Sequence, residues 1–223
     1  MVLAIIPARG GSKGIPRKNV RLMHGKPLIY YSIQNALSCS YIDDVVVSSD
    51  DEEILSIAAM YGVKAMNRDS ALAQDAVTLD PVIYDAVLRM EQETGKTYDV
   101  VVTLQATSPL LTVETLDGAL KSFLESDFDT YISAVNKPHL SWTTKDGKCV
   151  PNYEKRLNRQ QLPPNFLEAG AFLITRRECM SENNRIGVKA SVYEMPEKEA
   201  IDIDSYADWI VCEQELSKKR ILF

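Results

Sequence analysis

Residues 3–19 read LAIIPARGGSKGIPRKN, an apolar run that passes directly into a glycine-rich basic loop. Leu3 to Ile6 shows no polar alternation, as expected of a strand covered on both faces. Two more β-branched runs follow, Asp44 to Ser48 around Val45-Val46-Val47 and Asp99 to Leu104 around Val100-Val101-Val102. Between the runs the apolar spacing is helical. Ile29, Ile33, Ala36 and Leu37 form one stripe after Pro27, a residue suited to a first helical turn. Ile54, Ile57, Ala58 and Tyr61 form a second, with Asp50 as N-cap and Glu52 and Glu53 at the positive end of the dipole. A third, Leu79 to Met90, starts at Thr78 and stops at Gly95, and a fourth, Val113 to Leu124, is capped by Thr112. Strands alternating with such helices predict an α/β fold of the doubly wound type, whose ligands lie beyond the carboxyl ends of the strands.

Working outward, the chain has 223 residues, 45% of them hydrophobic, enough for one substantial core and against disorder or a disulfide scaffold. The net charge of −6 argues against a general nucleic-acid binder, but its distribution is uneven. Up to Ile42 there are six basic residues and no acidic one, and the remainder carries a net −12. Cys39, Cys149, Cys179 and Cys212 have neither zinc nor redox spacing, so idle thiols are expected. No apolar run approaches a membrane span and no leader pattern precedes Val2, so a soluble cytoplasmic protein is expected.

After about Asn136 the pattern loosens. Asp146-Gly147 predicts a hairpin turn, and the stretch 137–165 is too short for a core of its own, so it reads as an arm inserted in a single domain, 1–223. A strand returns at Ala171 to Thr175. A closing helix is expected from about Ser205 to Lys218, with Tyr206, Trp209, Ile210 and Leu216 on its buried side.

In the first loop Gly10, Gly11 and Gly14 let backbone N–H groups approach a ligand while Arg9 and Lys13 add positive charge, a combination suited to a polyphosphate. The spacing is neither a Walker A loop nor Gly-x-Gly-x-x-Gly. Gln105-Ala106-Thr107-Ser108-Pro109-Leu110 places amides and hydroxyls over the same crevice. Arg68-Asp69 and Gln74-Asp75 supply either further polar contacts or ordinary surface. Asp202 and Asp204, one residue apart, project to one side of an extended chain, a spacing that Mg²⁺ can use; Asp204 can equally be the N-cap of the last helix.

Taken together, Ile6 to Gly14 with Lys18-Asn19, Gly25-Lys26-Pro27-Leu28-Ile29, Ser48-Ser49-Asp50, Gln105 to Leu110, Arg159-Gln160-Gln161-Leu162-Pro163 and Asp202-Ile203-Asp204 resemble the CMP-N-acylneuraminate synthetases, or acylneuraminate cytidylyltransferases. The motifs come in that family's order and span nearly the whole chain. The resemblance implies a Rossmann-like nucleotidyltransferase fold, a mostly parallel sheet flanked by helices, and usually a homodimer with 137–165 as dimerisation arm. It implies transfer of CMP from CTP to the anomeric 2-hydroxyl of a nine-carbon 2-keto sugar acid, with Mg²⁺ as cofactor and pyrophosphate released. Arg9, Lys13 and Asp204 take the catalytic positions, and Ala8, Gly10, Gly11, Ser12, Asn19, Arg68 and Gln105 the nucleotide side. Gln105, Ser108, Arg159 and Gln160 take the sugar-acid side, Arg159 anchoring the carboxylate, and Asp202 and Asp204 hold the metal.

Two departures fall on the acceptor side: Pro138-His139-Leu140-Ser141-Trp142 where many relatives have a lysine after His-Pro, and Glu168-Ala169-Gly170-Ala171 where they have Asn-Gly. They leave the acceptor open among neuraminic, deaminated, legionaminic and pseudaminic acids. The rival readings are a cytidylyltransferase for an eight-carbon keto-deoxy sugar acid and a non-catalytic nucleotide-sugar-binding module. Neither nucleic acid nor membrane is an expected partner. His24 and His139 read as surface or hydrogen-bonded residues, and Trp142 as packing in the arm or the dimer interface.

Overall fold

The structure, a computed structural model, describes residues 1–221. In chain order its elements are β1 (Val2–Pro7), β2 (Leu22–Met23), β3 (Lys26–Pro27), α1 (Ile29–Ser38), β4 (Asp44–Ser49), α2 (Glu52–Met60), β5 (Lys64–Asn67), α3 (Leu79–Thr94), β6 (Val100–Leu104), α4 (Val113–Leu124), β7 (Thr130–Asn136), β8 (Trp142–Lys145), β9 (Lys148–Pro151), β10 (Phe166–Arg176), β11 (Ala190–Glu194) and α5 (Tyr206–Ile221).

Seven strands form one sheet in the order β11-β7-β10-β6-β1-β4-β5. Only β10 runs against the rest, pairing antiparallel with both β6 and β7. From β1 the chain builds outward to β4 and β5, then returns to lay β6 on the other side of β1. The order therefore reverses between β1 and β6, the topological switch point at which ligands bind in such sheets.

The unalternating runs do lie between two layers. Ala4, Ile6, Val47, Val102 and Leu104 pack with α1, α2 and α4 on one face; Leu3, Ile5, Val46 and Val101 pack with Ile83, Ala86 and Val87 of α3 on the other. Each such aliphatic side chain contributes about 1.5–3 kcal/mol on burial, so β1 is the firmest base available for a loop. A third cluster, Ile15, Met23, Leu28, Leu110, Ile203, Trp209 and Cys212, fastens the first loop and α5 to the sheet.

Several local expectations change. Asp51, not Asp50, caps α2, accepting from the N–H groups of Glu53 and Ile54 at 3.1 Å. Pro27 lies in β3, ahead of α1. Thr78 precedes α3 without a side-chain cap bond, whereas Thr112 accepts from Thr115 N–H and Gly95 closes α3 with φ +68°. Leu37, Tyr206 and Ile210 are exposed, whereas on α5 Trp209 is buried and Leu216 partly buried as expected, with Cys212 buried beside them. β5, β7 and β11 were not legible as strands, being short or carrying mixed polarity. The Asp146-Gly147 turn does join the hairpin β8–β9, with φ +51° and +73°. The arm is tied at its neck, where Lys137 N–H donates to Asn165 C=O at 2.8 Å. Among the described residues no helix is long and apolar enough to cross a membrane, and all four cysteines are free thiols.

Candidate active site

The loop after β1 is held from below. Ala8 is buried and its N–H donates to Ser48 C=O at 3.0 Å, continuing the strand ladder for one residue. Buried Asn19 donates to Arg9 C=O at 3.0 Å, and Gly10 N–H donates to Asp50 Oδ1 at 3.0 Å. Arg17, in the left-handed region at φ +58°, bridges Asp51 and Glu53 at the start of α2. Two of the three glycines are required by the protein itself. A Cβ on Gly10 would meet the Asp51 carboxylate, and one on Gly14 would lie 2.2 Å from the backbone oxygen of Asp204. Only Gly11 faces open space, so it alone is free to be small for a ligand's sake.

Beside this loop opens a cavity of about 370 Å³. Its lining includes Arg9, Ser12, Lys13, Lys18 and Asn19 from the first loop, Arg68 and Asp75, and Gln105, Thr107 and Asp204. Two cations of the loop converge on one carboxylate: Arg9 Nη1 and Lys13 Nζ each lie 2.7 Å from an oxygen of Asp75. Hydrogen bonding from Lys13, reinforced by Arg9, holds the Asp75 carboxyl below its ordinary range. Asp75 thus marks a place where an anion is bound by both side chains. Arg68 is buried, donates to Ser48 C=O at 2.6 Å, and is pushed down from the usual guanidinium range by burial.

The acidic segment is positioned by its neighbours. Buried Glu199 accepts from the Thr112 N–H at 3.1 Å and hydroxyl at 3.0 Å at the positive end of α4. Ile203 is buried in the third cluster and its N–H donates to Thr107 C=O at 2.9 Å. That leaves the flanking carboxylates on either side of Ile203. Asp204 projects into the cavity, with Lys18 Nζ 3.7 Å away, while Lys18 also donates to Ile203 C=O. Asp202 turns inward beside Gly170, where an added Cβ would lie 3.4 Å from its Oδ2. Its Oδ1 is buried without a well-formed hydrogen bond, and burial pushes its carboxyl above the ordinary value, opposed by the nearby Thr107 hydroxyl and reinforced by the Asp204 charge. A buried, unpartnered carboxylate oxygen close to a second carboxylate fits a hard cation, and Mg²⁺ needs only one or two such ligands when phosphates and waters complete its shell.

The structure thus brings Arg9, Ser12, Lys13, Asn19, Arg68, Gln105 and Asp204 to one cavity. Ala8 is beneath it, Gly10 and Gly11 shape its loop, and Ser108 is fully buried with an unpartnered hydroxyl. Arg159 and Gln160 are not brought there. They lie exposed in the arm, where Arg159 lines a separate hollow with His139, Trp142 and Tyr153. His24 Nε2 donates to Glu213 C=O, 2.7 Å away, a hydrogen-bonded histidine as expected. The sequence reading quoted Lys18 within a motif but gave it no role in the site, and had no means of pairing Asp75 with residues more than 60 positions away.

A family model described as cytidylyltransferase matches residues 3–215. A pseudaminic acid cytidylyltransferase of Campylobacter jejuni is 36% identical over 214 residues, 92% of each chain. N-acylneuraminate cytidylyltransferase A of Danio rerio is 33% identical over 223 residues, covering 96% of this chain and 50% of the relative. The chain therefore spans half the length of that vertebrate protein. Among solved structures, a CMP:2-keto-3-deoxy-manno-octonic acid synthetase complexed with CTP superimposes with a TM-score of 0.67 over 98% of this chain and 99% of that one. Its sequence identity is 16%, so it is a likeness of fold.

Proposed function

We propose, from the premise that this chain belongs to the cytidylyltransferase family, that it transfers CMP from CTP to the anomeric 2-hydroxyl of a nine-carbon 2-keto sugar acid. The observation that carries this reading is that Arg9, Lys13, Gln105 and Asp204 line one cavity. The acceptor oxygen attacks the α-phosphorus, a new P–O bond forms, and the bond to the β-phosphate breaks to release pyrophosphate. Such transfers depend on positioning and charge stabilisation. Arg9 and Lys13, exchanging Asp75 for the β- and γ-phosphates, hold the leaving group. Arg68 and Asn19 lie toward the nucleoside, and Gln105 stands between nucleotide and acceptor. Asp202 and Asp204 are the ligands for Mg²⁺, which when bound neutralises charge at the α-phosphate and makes the attacking hydroxyl more acidic. Arg159 and Gln160 act from the arm of a second copy in a homodimer, which accounts for their distance from the cavity of their own chain.

The test is the purified protein with CTP, MgCl₂ and a panel of neuraminic, deaminated, legionaminic, pseudaminic and eight-carbon acids, with products identified by mass spectrometry. Pyrophosphate release that needs a nine-carbon acid and stops on addition of EDTA is expected. Turnover restricted to the eight-carbon acid would replace the acceptor class, and nucleotide binding without turnover would leave a binding module.

A further inference from the structure

On the far side of Gln105 from the nucleotide cavity lies a small pocket of about 80 Å³, bordered by Thr103, Ser133, Glu168, Gly170 and Arg185. It exists because β10 slips register: Glu168 pairs with Ala134 and Leu173 with Ile132, so surplus residues bulge out, with Gly170 at φ +67°. Bulges of this kind re-aim side chains next to active sites. The same bulge puts Gly170 against Asp202, so the pocket adjoins the proposed reacting end of the acceptor.

Arg185 is held there at a fixed angle. Its side chain is 13% exposed, Nε donates to Asp80 Oδ1 at 2.6 Å, and Nη1 donates to Thr103 Oγ1 at 3.1 Å. Asp80 lies in the first turn of α3, where the helix dipole also favours its charge. Among the described residues Nη2 has no partner, and neither the fold nor the reaction outlined above uses it. A guanidinium held in place through two of its nitrogens presents the third as a charged, directional donor. Glu168, an acceptor, and the apolar residues Ile132, Phe172 and Leu173 line the same pocket. At about 80 Å³ against about 370 Å³ for the nucleotide cavity, the space suits a substituent of the acceptor.

Resting on the CMP-transfer reading, we infer that Arg185 is a specificity-determining residue that recognises an acylamino substituent of the sugar acid. Its free guanidinium edge donates to the acyl oxygen, Glu168 accepts the amide N–H, and the acyl carbon chain meets the apolar wall. A charged hydrogen bond of this type corresponds to a preference of about 10- to 100-fold.

The experiment compares kcat/KM for an acylamino acceptor with that for its deaminated analogue, which carries a hydroxyl at the same carbon, in wild type, Arg185→Met and Arg185→Lys, with the KM for CTP measured alongside. Arg185→Met is expected to lower kcat/KM for the acylamino acceptor by about 10-fold or more and to compress the ratio between the acceptors, with the KM for CTP within about twofold. Arg185→Lys, which keeps a charge for Asp80 but loses the fork, is expected to fall between and decides alone if the methionine variant does not fold. An unchanged acceptor ratio in a folded variant, or equal loss toward CTP and both acceptors, overturns the inference and leaves Arg185 a structural tie to α3. Failure of the wild type to turn over any acid overturns the CMP-transfer reading and this inference with it, a result distinct from an active wild type with unaltered variant selectivity.

Discussion

Gly14 offers the sharpest test of the site geometry. Its backbone lies so close to the Asp204 carbonyl that an added Cβ would sit 2.2 Å from that oxygen, where real Cβ atoms essentially never come nearer than 3.0 Å. Gly14→Ala must therefore separate the phosphate loop from the acidic segment by about 0.8 Å or more. Both sides of the contact are backbone, so no rotamer change relieves it. Because Arg9 and Lys13 sit on one side of that contact and Asp204 on the other, the separation pulls the proposed triphosphate anchors away from the proposed metal ligand. A misplacement near 1 Å between reacting groups costs about 10²-fold in rate, or ~2.7 kcal/mol of barrier. Pyrophosphate release under saturating CTP and acceptor measures kcat, and thermal melting of the free protein reports the strain independently. Gly11→Ala is the companion: with open space around it, it should leave the melting temperature unchanged and act, if at all, through the KM for CTP. A Gly14→Ala enzyme with an unchanged melting temperature and a kcat within about threefold of wild type would refute the reasoning, since the loop could then move without consequence for catalysis.

Further outcomes are expected. Asp204→Ala and Lys13→Ala should each lower kcat by about 10²-fold or more while the purified variants remain folded; near-normal turnover would remove those residues from the reaction. Asp75→Asn weakens the anion that Arg9 and Lys13 hold in the free protein, so the KM for CTP should fall by about two- to fivefold, less at high salt; a rise instead would mean that Asp75 contacts the bound nucleotide complex directly. Cys39 and Cys212 are buried and their thiols pushed up to about 12, chiefly by desolvation, whereas Cys149 is exposed. Since the thiolate is the reactive form, iodoacetamide at pH 8 should label Cys149 in the folded protein and reach Cys39 and Cys212 only on unfolding, which peptide mass mapping reads directly.

The order of the motifs along the chain made the sheet's first half legible. Strands β1, β4 and β6 are β-branched and unalternating because both faces are covered, a condition that leaves its mark on composition. β5, with Lys64 and Asn67 exposed, and β11, an edge strand with Val192 partly exposed, carry no such mark, because an edge buries less and tolerates mixed side chains. Asp50 and Asp51 are both good caps by type. Only the backbone geometry, with Asp51 accepting from two amide groups of α2 while Asp50 turns to Gly10, tells them apart.

By itself the sequence determined the alternating α/β plan, the basic glycine loop at the end of the first strand and the paired late carboxylates, because each depends on short-range spacing. The tertiary structure decided which of those residues share a cavity. It joined Arg9 and Lys13 to Asp75, set Gly14 against Asp204, buried Ser108 and the Oδ1 atom of Asp202, and kept Arg159 in the arm. It also created the Arg185 pocket through a slip in strand register. These are contacts between distant segments, fixed by how the sheet orders its strands and where β10 bulges, and no local pattern encodes them.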